Sequence, residues 1–408
     1  MDVHARAGPP GRPAYNRKSL EAHPHLFSSR LEWNAHPNPL STLLTEKRAK
    51  GATILDLTES NPTRAALDYP GDLLAALADP RALHYDPDPR GLLSAREAVS
   101  EYYAQRDVDV PPSRILLTAS TSEAYSYLFK LLTNPGDEIL VPRPSYPLFD
   151  YLAAMESAAV RQYPLRYDGV WHIDFPSLAS AITPRTRAIV VVNPNNPTGS
   201  YLKLPEWERL QAFGLPILSD EVFSDFAFSP DPQRITSLAG QNSVLTFSMS
   251  GLSKVAGLPQ MKLGWIVASG PDHSAALNGL EWVADTYLSV STPVQLALPR
   301  LLNAARPVQE QIRAQTCSNL EHLRKNLLVS PCRCLAIEGG WYAVLEVPRI
   351  RTEEEWVLQL LAEKDVLVQP GFFYDFESEA FLVLSLLTPP AIFTEGLRRI
   401  LESAASHS

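Results

Sequence analysis

Ala188-Ile189-Val190-Val191-Val192-Asn193-Pro194-Asn195-Asn196-Pro197-Thr198-Gly199 is the stretch on which the fold turns. Its first half is continuously apolar and mostly β-branched, the pattern of a strand buried on both faces. Its second half carries two Asn-Pro steps and a Thr-Gly pair, which demand a rigid turn. Outward from it, short apolar runs at residues 54–57, 115–118, 138–141, 215–218 and 244–247 read as further strands. Between them, residues 94–106 show a helical period through Ala95, Ala98, Val99, Tyr102 and Tyr103. Residues 123–132 read as a second helix, stopped by Asn134-Pro135-Gly136-Asp137. Strands alternating with helices imply an α/β fold: a three-layer αβα unit around a mostly parallel sheet.

Residues from about 305 onward change character. A helical stretch runs through 320–328, strand-like pieces follow at 342–347 and 381–386, and helices fall around 353–364 and 392–405. This reads as a smaller α+β domain. The expected division is a flexible leader at 1–25, an N-terminal segment at 26–75 contributing to the small domain, a large cofactor-binding domain at 76–304, and the small domain at 305–408.

The chain has 408 residues and a net charge of -9, which argues against nucleic acid or an anionic membrane as the main partner. Cys317, Cys332 and Cys334 form neither a zinc framework nor an even disulfide set, so reduced structural thiols and no metal site are expected. The N-terminus is polar and Pro- and Arg-rich, without a secretory apolar region, which fits a cytoplasmic enzyme.

In a parallel sheet, ligands sit beyond the carboxyl ends of the strands. Ser120-Thr121-Ser122, Asn196, Asp220 and Lys254 each follow a predicted strand. Lys254 lies in a small-residue loop among hydroxyls and glycines, and a desolvated amine there is free to form an imine. Hydroxyls and a second cation at Lys262 suit a phosphate. An imine-forming lysine beside a phosphate site suggests pyridoxal phosphate. That cofactor needs an acid at its ring nitrogen, for which Asp220 is the candidate, and a donor at its ring oxygen, for which Asn196 is. The hydroxyls and helix start at Thr121 and Ser122 suit its phosphate. Tyr146 could stack on the ring, and Tyr85 could donate to the phosphate. Each residue also has an ordinary reading: a solvated lysine, helix caps at Asp220 and at residues 120–122, a simple turn at Asn196, core or turn packing for the tyrosines.

Together, residues 193–199, 220–223 and 253–265 resemble the fold-type I, pyridoxal-phosphate-dependent aminotransferases of class I/II, over about residues 28–400. The resemblance implies a homodimer with active sites at the subunit interface. By position, Lys254 matches the imine lysine, which also shuttles the proton, and Asp220 the partner of the ring nitrogen. Asn196 matches the donor to the ring oxygen, and Tyr146 the stacking aromatic. Thr121, Ser122, Ser253 and Lys262 match the phosphate site. Tyr85 matches a tyrosine reaching the neighbouring subunit's phosphate.

Four departures from the family pattern stand out. Lys262 replaces an arginine, and Gly251 replaces a frequent serine. Phe223 replaces a tyrosine that donates to the ring oxygen. Val383, in Phe381-Leu382-Val383-Leu384-Ser385, stands where the family carries the arginine that clamps the substrate carboxylate. Either another cation substitutes or the substrate lacks an ordinary α-carboxylate. Arg64, in the segment with Asn61 that resembles the family's stretch over the substrate, is the candidate cation, against the plain reading of a solvated loop arginine. The activity implied is ping-pong transfer of an amino group from an amino acid to a 2-oxo acid. A lyase or decarboxylase on the same scaffold, and a non-catalytic cofactor-binding regulator, are the alternatives.

Overall fold

The computed structural model describes residues 28–31 and 37–405; the expected leader at 1–25 lies outside them. The strand at the heart of the sequence reading runs Thr186–Val192. Its side chains alternate between two cores. Ala188, Val190 and Val192 face one, and Ile189 and Val191 face the other. A strand that is apolar on both sides must be covered on both sides, which is why the unit has three layers.

The large sheet has eight strands, in the order Ile115–Thr118, Gly264–Ser269, Thr246–Gly251, Ile217–Asp220, Thr186–Val192, Glu138–Arg143, Ala159–Tyr167, Trp171–Ile173. The central pairs are parallel. Gly264–Ser269 runs antiparallel to both neighbours, and the edge strand Trp171–Ile173 is antiparallel to Ala159–Tyr167. One face is covered by the helices Thr121–Leu132, Phe149–Met155 and His273–Tyr287. The other is covered by Leu93–Ala104, Phe175–Ala181, Leu204–Gln211 and the first half of Thr292–Leu327.

The last of these is one helix of 36 residues containing Pro299 and Pro307. Its N-terminal half packs Ala297, Leu298 and Leu301 on the large sheet, while Leu320 and Leu323 enter a different core. That second core surrounds an antiparallel sheet ordered Arg333–Cys334, Tyr342–Glu346, Phe381–Ser385, Gln369–Pro370. Leu40, Leu44 and Leu57 from the N-terminal segment share it with Trp356, Leu360, Phe393 and Leu397. Leu55–Asp56 adds a short parallel pairing to Val366–Leu367.

Two elements differ from the sequence reading near the site. The strand expected at 244–247 is Thr246–Gly251, and Lys254 lies in a short helix, Leu252–Val255, not in a loop. The small residues Ser248, Ser250 and Gly251 are held in the ladder by pairing with Val267, Trp265 and Gly264. The antiparallel strand supplying those partners carries Gly264 and Ser269 at its ends and gives no run like that of Thr186–Val192.

Candidate active site

The turn after Thr186–Val192 places three asparagines in one buried cluster. Asn193 donates to the Ile235 carbonyl at 2.8 Å and accepts from the Leu202 amide at 2.9 Å. Asn195 accepts from Ser145 Oγ at 2.8 Å and donates to the Pro144 carbonyl and to Thr198 Oγ1. Both are scaffold. Asn196 is equally buried, yet its Oδ1 has no partner. Buried amides are normally satisfied, so Asn196 is the member of the turn that is shaped for a ligand.

Gly199 closes this turn with φ +67, and a Cβ there would stand 2.4 Å from the Gly339 carbonyl oxygen. Gly199→Ala combines left-handed strain with a backbone clash. It is expected to cost roughly 2–3 kcal/mol of stability. Urea unfolding of the cofactor-free protein checks this, and an unmoved midpoint would contradict it.

On the neighbouring strand, Asp220 ends Ile217–Asp220 and is 7% exposed. Tyr125 Oη donates to it at 3.1 Å and the Val222 amide at 3.3 Å. Burial pushes its pKa up to about 6, against the pull of those two donors; Glu221 adds to the rise and Lys254 opposes it. Glu221 behind it is tied down separately, accepting from Ser219, Ser237, Ser248 and the Leu238 amide.

One strand further, the Lys254 amine stands 4.8 Å from the Trp341 ring centre and 5.6 Å from that of Phe223. Burial against these rings lowers its pKa to about 8, and the Asp220 charge resists the fall. A buried acid pushed up at one strand end and a half-buried amine pushed down just past the end of the neighbouring strand mark a candidate reactive pair. Tyr146 is half-buried, edge-on to Phe149 at 6.1 Å, and its phenol is pushed above its ordinary range by burial and then by Asp220.

The phosphate candidates converge through two glycines. Gly264 pairs with Thr118 on one side and Gly251 on the other. A Cβ on Gly264 would meet the Ser250 carbonyl oxygen at 3.0 Å and the Ser120 carbonyl carbon at 3.3 Å; one on Gly251 would meet Gly264 Cα at 2.9 Å. The missing side chains let the Ser250–Lys254 segment lie against the turn at Ser120. There Ser120 Oγ caps the helix Thr121–Leu132, accepting from the Glu123 amide at 3.2 Å, with Thr121 and Ser122 half-buried at its start. Ser253 is half-buried, and Ser250 Oγ is buried without a partner. Lys262 is exposed with φ +51.

Not every expected residue joins this group. Tyr85 is 80% exposed and lies outside the group around Lys254 within one chain. Asn61 caps the turn Pro62–Arg64 and accepts from the Thr63 amide and hydroxyl; Arg64 is exposed at the end of that turn. The segment nonetheless borders the site, because Ser60 hydrogen-bonds Tyr342 and Ala65 packs with Phe223 and Trp341. Val383 is buried in that same apolar cluster, while its strand neighbours Leu382 and Leu384 face the small-domain core. Two residues escaped the sequence reading. Tyr125 has a weak signal, standing one helical turn after Thr121. The anchoring of Glu221 depends on Ser237, distant in sequence, and had none.

The residues fit pyridoxal phosphate. A carboxylate is placed to accept from a ring N–H, Ser250 Oγ lacks a partner and the amine is depressed; the unpartnered Asn196 Oδ1 is an acceptor, so the donor to the ring oxygen would be the Nδ2 of the same amide. The family model for aminotransferase class I and II matches residues 52–400. The glutamate-pyruvate aminotransferase AlaA of Escherichia coli K12 is 30% identical over 339 residues, covering 79% of this chain and 83% of that protein. Mouse tyrosine aminotransferase is 27% identical, covering 92% and 88%. A solved aminotransferase from Escherichia coli superposes with a TM-score of 0.81 at 25% identity, covering 93% of this chain and 98% of that one. The chain belongs to the class I and II aminotransferase family and is a pyridoxal-phosphate-dependent transaminase acting on amino acids and 2-oxo acids. Among the described residues, no helix is long and apolar enough to cross a membrane.

Proposed function

We propose that Lys254 and Asp220 carry the amino transfer, in two half-reactions that share one site. Bound pyridoxal phosphate supplies the electron sink that stabilises charge at the substrate Cα. Lys254 would hold the coenzyme through its ε-nitrogen, and when free the Lys254 amine would be the base that moves the Cα proton. Asp220 keeps a proton on the ring nitrogen, with Tyr125 fixing its orientation. Asn196 meets the ring oxygen, and Tyr146 and Phe223 supply aromatic walls. Thr121, Ser122, Ser253 and Lys262 receive the phosphate.

The exposure of Tyr85 supports a homodimer in which it serves the other copy's phosphate, and Leu83, 87% exposed, would be covered with it. The small domain, on this reading, is residues 26–75 with 305–408, joined to the large one through the helix Thr292–Leu327, and the enzyme is cytoplasmic.

The carrying observation is the placement of the Asp220 carboxylate at the end of Ile217–Asp220 and of the Lys254 amine just past its parallel neighbour Thr246–Gly251, with burial raising the acid and lowering the amine. A visible absorption spectrum titrated with amino acids tests it. Relatives' names put glutamate and tyrosine first among donors and pyruvate first among acceptors. Donors are expected to bleach the coenzyme band, and a 2-oxo acid to restore it. Carbon dioxide or ammonia release in place of that reversal would favour a decarboxylase or lyase.

A further inference from the structure

The helix Thr121–Leu132 touches the site twice. Thr121 and Ser122 open it at the phosphate end, and Tyr125 follows Thr121 by one turn on the same face. Tyr125 is 1% exposed, and its Oη donates to Asp220 Oδ2 at 3.1 Å. Among the described residues, that hydroxyl makes no other hydrogen bond. Its ring stands 5.8 Å from Phe129 and edge-on to Phe149 at 5.5 Å, inside an apolar cluster that a phenylalanine would fill as well. The packing therefore does not require the hydroxyl; Asp220 is what uses it. The carboxylate also has acceptor sites to spare. Its Oδ1 accepts from the Val222 amide at 3.3 Å, and each carboxylate oxygen has two lone-pair directions. Acceptor capacity remains for a ring N–H alongside Tyr125.

We propose that Tyr125 is a positioning residue for the amino transfer: it keeps the Asp220 carboxylate ionised for the coenzyme's ring nitrogen, from the same helix whose start receives the phosphate. This deepens the Asp220 reading above and rests on it. The titratable groups that face Asp220 are Glu221 beside it, Lys254 past the neighbouring strand, Tyr125 on the helix and Tyr146; Tyr163 faces Tyr125. Among them Tyr125 alone is within hydrogen-bond distance of the carboxylate. A hydrogen bond to the charged form favours that form. Without the hydroxyl, Asp220 holds its own proton to higher pH, and a protonated Asp220 cannot pair with a cationic ring.

Tyr125→Phe keeps the ring and removes the hydroxyl. Equilibrium dialysis of the coenzyme-loaded enzyme, wild type and variant, between about pH 5.5 and pH 8.5 reads the dissociation constant of pyridoxal phosphate. The coenzyme's own titrations are common to both proteins, so the ratio of the two constants isolates Asp220. The variant is expected to bind roughly tenfold more weakly at the acid end, the gap closing to less than about threefold at the alkaline end. A ratio of one throughout overturns the proposal. So does a weakening that is the same at every pH, which is what a purely structural tyrosine would give. Should Tyr125→Phe fail to fold, a crystal structure of the loaded wild type decides. Tyr125 Oη within about 3.2 Å of the Asp220 carboxylate, with that carboxylate also on the ring nitrogen, supports the assignment; a phenol turned away from Asp220 refutes it. Failure of the underlying reading would look different: Asp220→Asn would then bind the coenzyme as tightly as wild type at every pH.

Discussion

Asp220→Asn lowers kcat for amino transfer by roughly three orders of magnitude, on the scale of removing a charge placed for the transition state. Asparagine keeps the shape: its Oδ1 can accept from the Val222 amide while its Nδ2 donates to the Tyr125 hydroxyl, so the loss reports the charge. The same change has the opposite effect on the cofactor-free fold. The folded Asp220 has its pKa raised from 3.8 to about 6. Between those values the native chain holds a proton that the unfolded chain has lost. Stability therefore falls as pH rises through this window, and the whole penalty is present above pH 6. That shift corresponds to at most about 3 kcal/mol. Lys254 loses its counter-charge in the variant, so the net gain expected at pH 7 is about 1–2 kcal/mol, fading toward pH 4. Melting of the cofactor-free proteins across pH 4 to 8 is the check. A variant less stable than wild type at pH 7 would show that the carboxylate serves the fold and not the coenzyme.

Lys254→Ala removes the group proposed both to hold the coenzyme and to move the proton, and turnover is expected to fall by about four orders of magnitude or more. Its own titration runs the other way in stability. With the folded pKa lowered from 10.5 to about 8, the unfolded chain holds more protons between these values, so the wild-type apoprotein gains stability as pH rises across that range. Lys254→Ala loses that rise. Because the amine is replaced by space, added methylamine is expected to restore part of the proton transfer. Lys254→Arg, which keeps positive charge at every working pH, is expected to show no such rescue. Rates with and without methylamine for both variants make the comparison, and equal rescue in both would count against a base at this position.

Much of this was readable from the residues because local chemistry decided it. Residues 188–192 are apolar on both faces, and the Asn-Pro turn behind them has few ways to fold. Asp220 ends a strand and Lys254 follows one, and the carboxyl ends of strands in a parallel sheet are where ligands go. What could not be read was settled by distant partners. Ser248 and Ser250 have no strand character of their own and are held in the ladder by Val267 and Trp265. The 36-residue helix was legible only at its far end, since Pro299 and Pro307 interrupt the pattern while packing on two cores sustains the helix. Tyr125 touches Asp220 across 95 positions of sequence.

The chemistry proposed for this site requires the ε-nitrogen of residue 254 to carry the coenzyme. Borohydride reduction of the purified enzyme, followed by digestion and peptide mass mapping, tests it most directly. The expected result is a single fixed coenzyme on the peptide containing Lys254. A fixed coenzyme on another lysine, or none after incubation with excess pyridoxal phosphate, would contradict it.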